Sequence, residues 1–404
     1  MSVIRRRLWA RVQGRSPKYL AQYAALRVTA RLNARELEFP LLPGDLADSL
    51  RFTPPPAKLR NAPPRVAWLA IPPSPGSGGH TTQFRMMQAA IQAGQETTLL
   101  LYDRHSGDFA RNAQTVRDTW PWMTAEIAPV AERISGYDAV VATSWPTAHV
   151  AASRVSEGRL LYFIQDYEPY FLARGAECAL AEDSYRLGFR HIALGRMVEG
   201  LLATEVGVEA DMVPFGCDTE VYGVRGVRRA REGVVLYAKR GNDRRGFALA
   251  MRALALFHAA CPEEPIHVCG DRVDEAPFPV VNHGGVDPTR LNDLYNGVVA
   301  GLALSFTNIS LVAEEMLAAG VVPVVNDSPL ARADLPNAHA AWARATPTGL
   351  ADALIAAVRH PSRDEYAERV AASVAGRSWC EAQAATVDVI ADELARVARA
   401  KFRR

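Results

Sequence analysis

The chain is poor in cysteine. Cys178, Cys217, Cys261, Cys269 and Cys380 are the five in 404 residues; they are widely spaced and form no C-x-x-C pair. That excludes a disulfide scaffold and a zinc ribbon, and fits a reducing cytosol. No apolar run approaches the roughly 18 residues that span a bilayer. No secretory leader is read either, because the basic start leads through Trp9 and Ala10 back to Arg11 rather than into an apolar segment. Net charge is nearly absent at +2, too balanced for nucleic acid to be the main partner. No cluster of His, Cys and carboxylates has the spacing of metal ligands, so any chemistry is expected to run without metal, on cationic side chains. With 49% hydrophobic and 22% charged residues, wholesale disorder is excluded. The length predicts two domains with sizeable cores.

What charge there is gathers unevenly. Basic residues run from Arg5, Arg6 and Arg7 through Arg11, Arg15, Lys18, Arg27 and Arg31 to Arg35, ahead of the first acid, Glu36. Leu8, Trp9, Val12, Tyr19, Tyr23, Leu26 and Leu32 interleave with them. Two readings stay open: a helix lying on an anionic membrane surface, or a solvated helical extension packed on the body. Pro54-Pro55-Pro56 and Pro63-Pro64 mark a stiff linker. Residues 1–60 are therefore read as a basic helical extension and linker.

Beyond it, near-continuous apolar runs of strand length occur at Val66–Ile71, Thr97–Tyr102, Ala139–Thr143, Leu160–Ile164, Val234–Tyr237, Ile266–Cys269, Val299–Leu304 and Val321–Val325. Such runs indicate strands buried on both faces of a parallel sheet. Helical periodicity separates several of them, as at Thr81–Ala93, Phe247–Ala260 and Val312–Ala319. The fold class is α/β, with two doubly wound, Rossmann-like domains facing a cleft. The expected domains are 61–210, joined by a returning terminal helix over 380–404, and 211–379, with the hinge at Met212–Gly216. Ligands of such a fold sit beyond the carboxyl ends of the strands.

Four segments stand at such ends. Pro75-Gly76-Ser77-Gly78-Gly79-His80 lets a backbone approach a ligand and opens a helix whose N-terminus favours an anion. It misses the dinucleotide fingerprint because Thr81 holds the last glycine position, although Asp103 is placed to hold a ribose in a nicotinamide reading. Gln165-Asp166-Tyr167-Glu168-Pro169-Tyr170-Phe171 puts two carboxylates beside an aromatic wall, a composition suited to sugar hydroxyls. Lys239, Arg240, Arg244 and Arg245 crowd one strand-to-helix corner, where guanidinium groups clamp phosphate oxygens. Asn308-Ile309-Ser310-Leu311 opens a helix whose amides suit a phosphate, and Glu315 on that helix suits a ribose diol.

Taken in this order, from residue 65 to 400, the motifs resemble retaining glycosyltransferases of the GT-B fold, sequence family 4. Gly78-Gly79 resembles that family's glycine-rich loop. Pro214-Phe215-Gly216-Cys217-Asp218 is similar to its hinge phrase. Arg240 with Arg245-Gly246 resembles its basic pair five apart, and Lys239 with Arg244 offers the same spacing. Glu315–Gly320 and Ser378-Trp379 match its glutamate-led helix and its tryptophan before the last helix. The segment Phe163–Phe171, with Tyr237-Ala238 and Arg244-Arg245, looks closest to rhamnosyltransferases of bacterial surface glycans of the WsaF type. Two positions depart from the pattern. Asn308 stands seven before Glu315 where the family has an acid, and Gln165-Asp166 replace a histidine.

The resemblance implies a hexosyltransferase using a nucleotide sugar, dTDP-rhamnose by the narrower likeness, with no cofactor and no metal. Lys239, Arg240, Arg244, Arg245, Asn308, Ile309, Ser310, Leu311 and Glu315 are expected to bind the donor, the cationic corner facing Glu315 across a crevice. Gly78, Gly79, His80, Glu168 and Tyr170 are expected on the acceptor side, with Asp166 as the catalytic group that orients or deprotonates the acceptor hydroxyl. The expected partners are the nucleotide sugar and a glycan or lipid-linked glycan acceptor, with peripheral membrane contact through the basic arm and no nucleic acid. The expected location is the cytoplasm, at the inner face of the cell membrane. Two other classes remain: a nicotinamide-dependent oxidoreductase and a non-catalytic glycan-binding protein.

Overall fold

A computed structural model of the protein describes residues 16–32, 38–57, 63–225 and 230–401. The basic residues from Arg5 to Arg15, and the last residues of the expected 380–404 helix, lie outside it. Among the described residues no helix is long and apolar enough to cross a membrane. The chain divides into two compact units, Met1–Gly44 and Asp45–Arg404. The first carries a helix over Pro17–Arg31 that ends on a basic residue, as the helix dipole favours. Its apolar stripe is ragged, and Leu26 and Val28 are exposed.

The second unit holds two parallel sheets. The first runs in the order β3-β2-β1-β4-β5-β6-β7. Its strands are β1 (Arg65–Ala70), β2 (Glu96–Leu101), β3 (Glu126–Pro129), β4 (Ala139–Ala142), β5 (Arg159–Ile164), β6 (Arg190–Leu194) and β7 (Asp211–Val213). The second runs β10-β9-β8-β11-β12-β13, built from β8 (Val234–Ala238), β9 (Ile266–Gly270), β10 (Val281–Gly284), β11 (Ala300–Leu302), β12 (Val322–Asn326) and β13 (Ala341–Ala343). Every strand pair is parallel.

The α/β class and the two-sheet arrangement are thus as expected. The apolar runs became β1, β2, β4, β5, β8, β9, β11 and β12, each in the middle of a sheet and covered on both faces. Helices occupy Gly78–Gln92, Phe247–Ala260 and Leu311–Ala318, close to the expected periods. The remaining strands carry too little apolar sequence to announce themselves. β3 and β10 are edges, and β10 reads Val-Asn-His-Gly. The expected hinge needs a correction: Met212 and Val213 belong to β7, hydrogen-bonded in register to β6, so the irregular stretch starts only at Pro214. Gly216 lies in that stretch because a Cβ there would stand 2.6 Å from the carbonyl oxygen of Ser378 and 2.7 Å from Trp379.

Strand order reverses between β1 and β4 in one sheet and between β8 and β11 in the other, which opens a crevice at each carboxyl end. The terminal helix Cys380–Lys401 returns to the first sheet. It packs on the Gly78–Gln92 helix, where Gln383 Nε2 donates to the Arg85 carbonyl at 3.2 Å. Arg159 pairs with Glu393, and Arg190 with Asp211 and Asp392.

Candidate functional site

β8 is apolar up to Ala238, and the polar run that follows must leave the sheet. It turns through a short 3-10 segment, Asp243–Arg245, into the helix beginning at Phe247. Gly246 sits at the junction with φ 63°, a left-handed conformation that glycine adopts without strain. This turn brings together Lys239, Arg244 and Arg245. Lys239 is half-buried, lies 5.5 Å from the centre of the Tyr237 ring and forms no ion pair with any described residue. Burial, then Arg245 and Arg244, pull its pKa below the usual lysine value. Arg245 Nη1 donates to Ser305 Oγ at 2.8 Å, and no carboxylate among the described residues pairs with the guanidinium. Burial first, and Arg244 second, push its pKa down to about 10. Two cations thus lie next to a third with no described residue of opposite sign bonded to them.

Arg240 does not join this cluster. Its side chain is exposed, donates to the Arg272 carbonyl and lies over the Phe247 ring. The expected convergence of four cations is therefore corrected to three. Of the two spacings in the sequence, the one carrying Lys239 and Arg244 points inward, joined by Arg245.

Arg244 spans to the first sheet. Its Nη1 lies 2.7 Å from Asp166 Oδ2, and its guanidinium carbon 4.2 Å from the centre of the Phe171 ring. Thr307 Oγ1 donates to Asp166 Oδ1 at 2.9 Å. Asn308 accepts from Ser305 Oγ at 2.9 Å and donates to the Gln165 carbonyl at 3.4 Å. Residues after β5 and residues after β8 and β11 therefore meet, as the carboxyl ends of facing sheets should. The meeting also changes one expectation. Asp166, expected to be free for an acceptor hydroxyl, has one oxygen on Arg244 and the other on Thr307.

Asn308, Ile309 and Ser310 lead into the helix Leu311–Ala318, with Ser310 at the N-cap. The first amides of that helix, on Leu311 and Val312, have no intrahelical acceptor. Glu315, one turn on, makes no hydrogen bond or ion pair to any described residue. Burial pushes its carboxyl up to about 7, with Asp218 and Glu314 adding to the rise and Arg85 opposing it. Its neighbour Glu314 is the structural acid, paired with Arg377. The expected opposition of Arg244 and Arg245 to Glu315 is not observed. The cation felt by Glu315 is Arg85, from the Gly78–Gln92 helix, itself 2.5 Å from Asp218.

On the first sheet, Gly79 offers its carbonyl to Gln165 Nε2 at 3.0 Å. Ser77 caps the helix that begins at Gly78, and its Oγ lies 2.7 Å from His80 Nδ1. His80 Nε2 lies 3.3 Å from the Ile71 carbonyl, and burial lowers its pKa. Glu168 and Tyr170 belong to a 3-10 turn, Glu168–Phe171. Tyr170 is exposed. Glu168 is turned inward onto Trp145, with its carboxyl raised to about 8 by burial. Asp103 is not open to a ribose: its carboxylate accepts from the amides of His105 and Gly107 and from Asn112 Nδ2, closing a local turn.

Sequence reasoning missed Arg85, Ser305 and Thr307. Ser305 and Thr307 stand just before the Asn308–Leu311 segment, and small hydroxyls shortly after a strand were the available signal. Arg85 sits in an ordinary helical pattern and carries no local signal at all. Among the described residues no group of three or more potential metal ligands exists.

No protein-family profile matches the sequence. The O-antigen biosynthesis protein RfbC of Myxococcus xanthus is 33% identical over 257 residues, which are 60% of this chain and 20% of RfbC. The chain thus matches about a fifth of that relative's length. Among solved structures, the sucrose-phosphate synthase of Thermosynechococcus elongatus superposes with a TM-score of 0.60 at 14% identity, covering 84% of this chain and 99% of the other. HepE of Anabaena, solved with UDP and glucose, gives 0.58 at 13%, covering 82% and 100%. WaaG, a glycosyltransferase involved in lipopolysaccharide biosynthesis, gives 0.55 at 14%, covering 80% and 99%. At such identities the likeness shows the fold, which is GT-B.

Proposed function

We propose that the protein is a glycosyltransferase of bacterial surface-glycan assembly. It takes a sugar from a nucleoside diphosphate donor and passes it to a glycan or lipid-linked glycan. The observation that carries this reading is the pair Lys239 and Arg245: cations whose pKa values are lowered by burial and then by a neighbouring cation, neither with a carboxylate bonded to it among the described residues. A diphosphate bound there would supply the missing negative charge, and the same cations would stabilise it as it leaves. The Leu311 and Val312 amides would approach the phosphate, Asn308 a sugar hydroxyl, and Glu315 the ribose diol. Support comes from the O-antigen relative and from the UDP and glucose held by HepE. The finer reading, dTDP-rhamnose as donor, rests on the likeness of Phe163–Phe171 and Tyr237-Ala238 to rhamnosyltransferases. Closure of the two sheets' carboxyl ends on each other, already made by Arg244, Thr307 and Asn308, would exclude water and favour transfer over hydrolysis.

The test is a thermal-shift screen of dTDP, UDP, GDP and ADP. A nucleotide that binds the folded chain raises its melting temperature, by about 2.7 kcal/mol of stability at a hundred times Kd. dTDP is expected to give the largest shift. A larger shift with UDP would reassign the base, and no shift with any of the four would remove the reading.

A further inference from the structure

Arg244 and Arg245 follow one another after β8, and the loop after β11 holds both. Arg245 reaches Ser305 Oγ with Nη1 at 2.8 Å. Arg244 accepts from the Phe306 amide through its carbonyl at 3.1 Å, and its Nη1 donates to Thr307 Oγ1 at 3.4 Å. The two guanidinium groups therefore lie against three consecutive residues of one loop, and Arg244 lowers the pKa of both Arg245 and Lys239. Arg244 is thus part of the cationic cluster, but it is the member already neutralised. Asp166, from the turn after β5, accepts from Arg244 Nη1 at 2.7 Å with Oδ2 and from Thr307 Oγ1 at 2.9 Å with Oδ1. The Phe171 ring lies 4.2 Å from the guanidinium carbon. The hold is made through a single nitrogen: Nε and Nη2 of Arg244 make no hydrogen bond to any described residue, and the side chain is half-buried.

Resting on the transferase reading above, we propose that Asp166 is a latch: it keeps Arg244 engaged in the empty protein, and an incoming nucleoside diphosphate must draw Arg244 off it. A carboxylate that shares one N–H of the fork is a weaker match for a guanidinium than a diphosphate, whose oxygens take two parallel N–H bonds. The exchange therefore runs toward the ligand, but the apparent affinity is the intrinsic one reduced by the fraction of molecules in which Arg244 is free. Lys239 and Arg245 carry no such restraint, because no described carboxylate is bonded to them. Asp166 is a positioning residue in this account. It sets nucleotide affinity through Arg244 and touches no nucleotide itself. Because the pair joins the turn after β5 to the turn after β8, it also ties the carboxyl ends of the two sheets together while the site is empty.

The experiment is a calorimetric titration of the full chain with dTDP, UDP, GDP and ADP, comparing the wild type with Asp166→Asn. Asn keeps the size of the side chain and gives up the charge that holds Arg244. Without nucleotide the variant is expected to melt lower than the wild type, since Arg244 loses its counter-ion. It is nevertheless expected to bind the preferred nucleotide about 3- to 10-fold tighter, the worth of releasing a half-buried ion pair. A side chain with a structural role alone would lower stability and leave affinity equal or weaker. Removing a negative charge near an anion site also tightens binding through its field, and two controls separate that effect. At about 1 M NaCl such a field is screened within about 3 Å, and the ratio of the two affinities is expected to stay above about threefold. Asp271→Asn removes the carboxylate that acts on Lys239 without being bonded to Arg244, and is expected to tighten binding by less than about twofold. Affinity of Asp166→Asn at or below the wild-type value, a gain that disappears at high salt, or the same gain in Asp271→Asn would each overturn the latch. If neither the wild type nor Asp166→Asn binds any of the four nucleotides, it is the transferase reading that has failed, and the latch falls with it.

Discussion

Consider the replacement of Arg245 by methionine, which keeps the length and apolar stem of the side chain and removes its charge. In the folded protein burial, and then Arg244, lower the guanidinium pKa from its ordinary value to about 10. A lowered pKa on a base means that folding disfavours its charged form. The penalty is present in full at neutral pH and disappears only as the pH rises through about 10 toward the ordinary value. At 1.36 kcal/mol per tenfold change in proton affinity it amounts to about 3 kcal/mol, and partial exposure to solvent reduces it to about 2. The variant also gives up the bond to Ser305 Oγ, worth about 1 kcal/mol. The unliganded Arg245→Met protein is thus expected to be more stable than the wild type by about 1 kcal/mol, roughly 2 °C in melting temperature for a domain of this size. The same variant is expected to lose its stabilisation by nucleoside diphosphate. Differential scanning fluorimetry without and with nucleotide reads both effects at once. A variant that melts lower than the wild type and still responds fully to nucleotide would refute the idea that Arg245 holds its charge in readiness for an anion.

Glu315→Gln tests the other end of the donor site. The folded carboxyl is raised to about 7, so its contribution to stability is complete below the unfolded value and is lost as pH rises through about 7. The Gln variant is expected to match the wild type in acid and exceed it in melting temperature above neutrality. Wild-type affinity for nucleotide is expected to increase with pH through about 7, as the carboxylate that accepts ribose hydroxyls forms, and the variant's titration curve to be flat by calorimetry. Asp334→Ala tests a contact between the two sheets' flanking helices. Both Asp334 oxygens accept backbone amides, from Arg196 at 2.6 Å and Met197 at 3.0 Å, so their loss is expected to cost about 1–3 kcal/mol in chemical denaturation. An unchanged midpoint would show that those amides find water at no cost.

The central strands were legible because burial on both faces forces an unbroken apolar run, as in Val-Ala-Trp-Leu-Ala of β1. β13 is only Ala341–Ala343, and β6 opens on Arg190 and His191, so neither produces such a run. The cationic corner was legible for a similar reason: charge directly after a buried strand has few places to go. Which cations turn inward was not, since Lys239 with Arg244 and Arg240 with Arg245 have the same spacing, and the turn through Asp243–Arg245 separates them. The partners of Asp166 were out of reach as well. Arg244 lies 78 residues away and Thr307 141, and no local pattern records that two strand ends face each other.

The returning terminal helix bears on the order in which the chain can mature. Thr386 packs its hydroxyl against Met86, 300 residues earlier, and Glu393 neutralises Arg159. During synthesis the first sheet must therefore wait, with Arg159 and part of the Gly78–Gln92 helix uncovered, until the Cys380–Lys401 helix has been made. Contacts of such long sequence separation form late and slowly. A chain stopped just before Cys380 would carry an intact second sheet and a first sheet missing one wall.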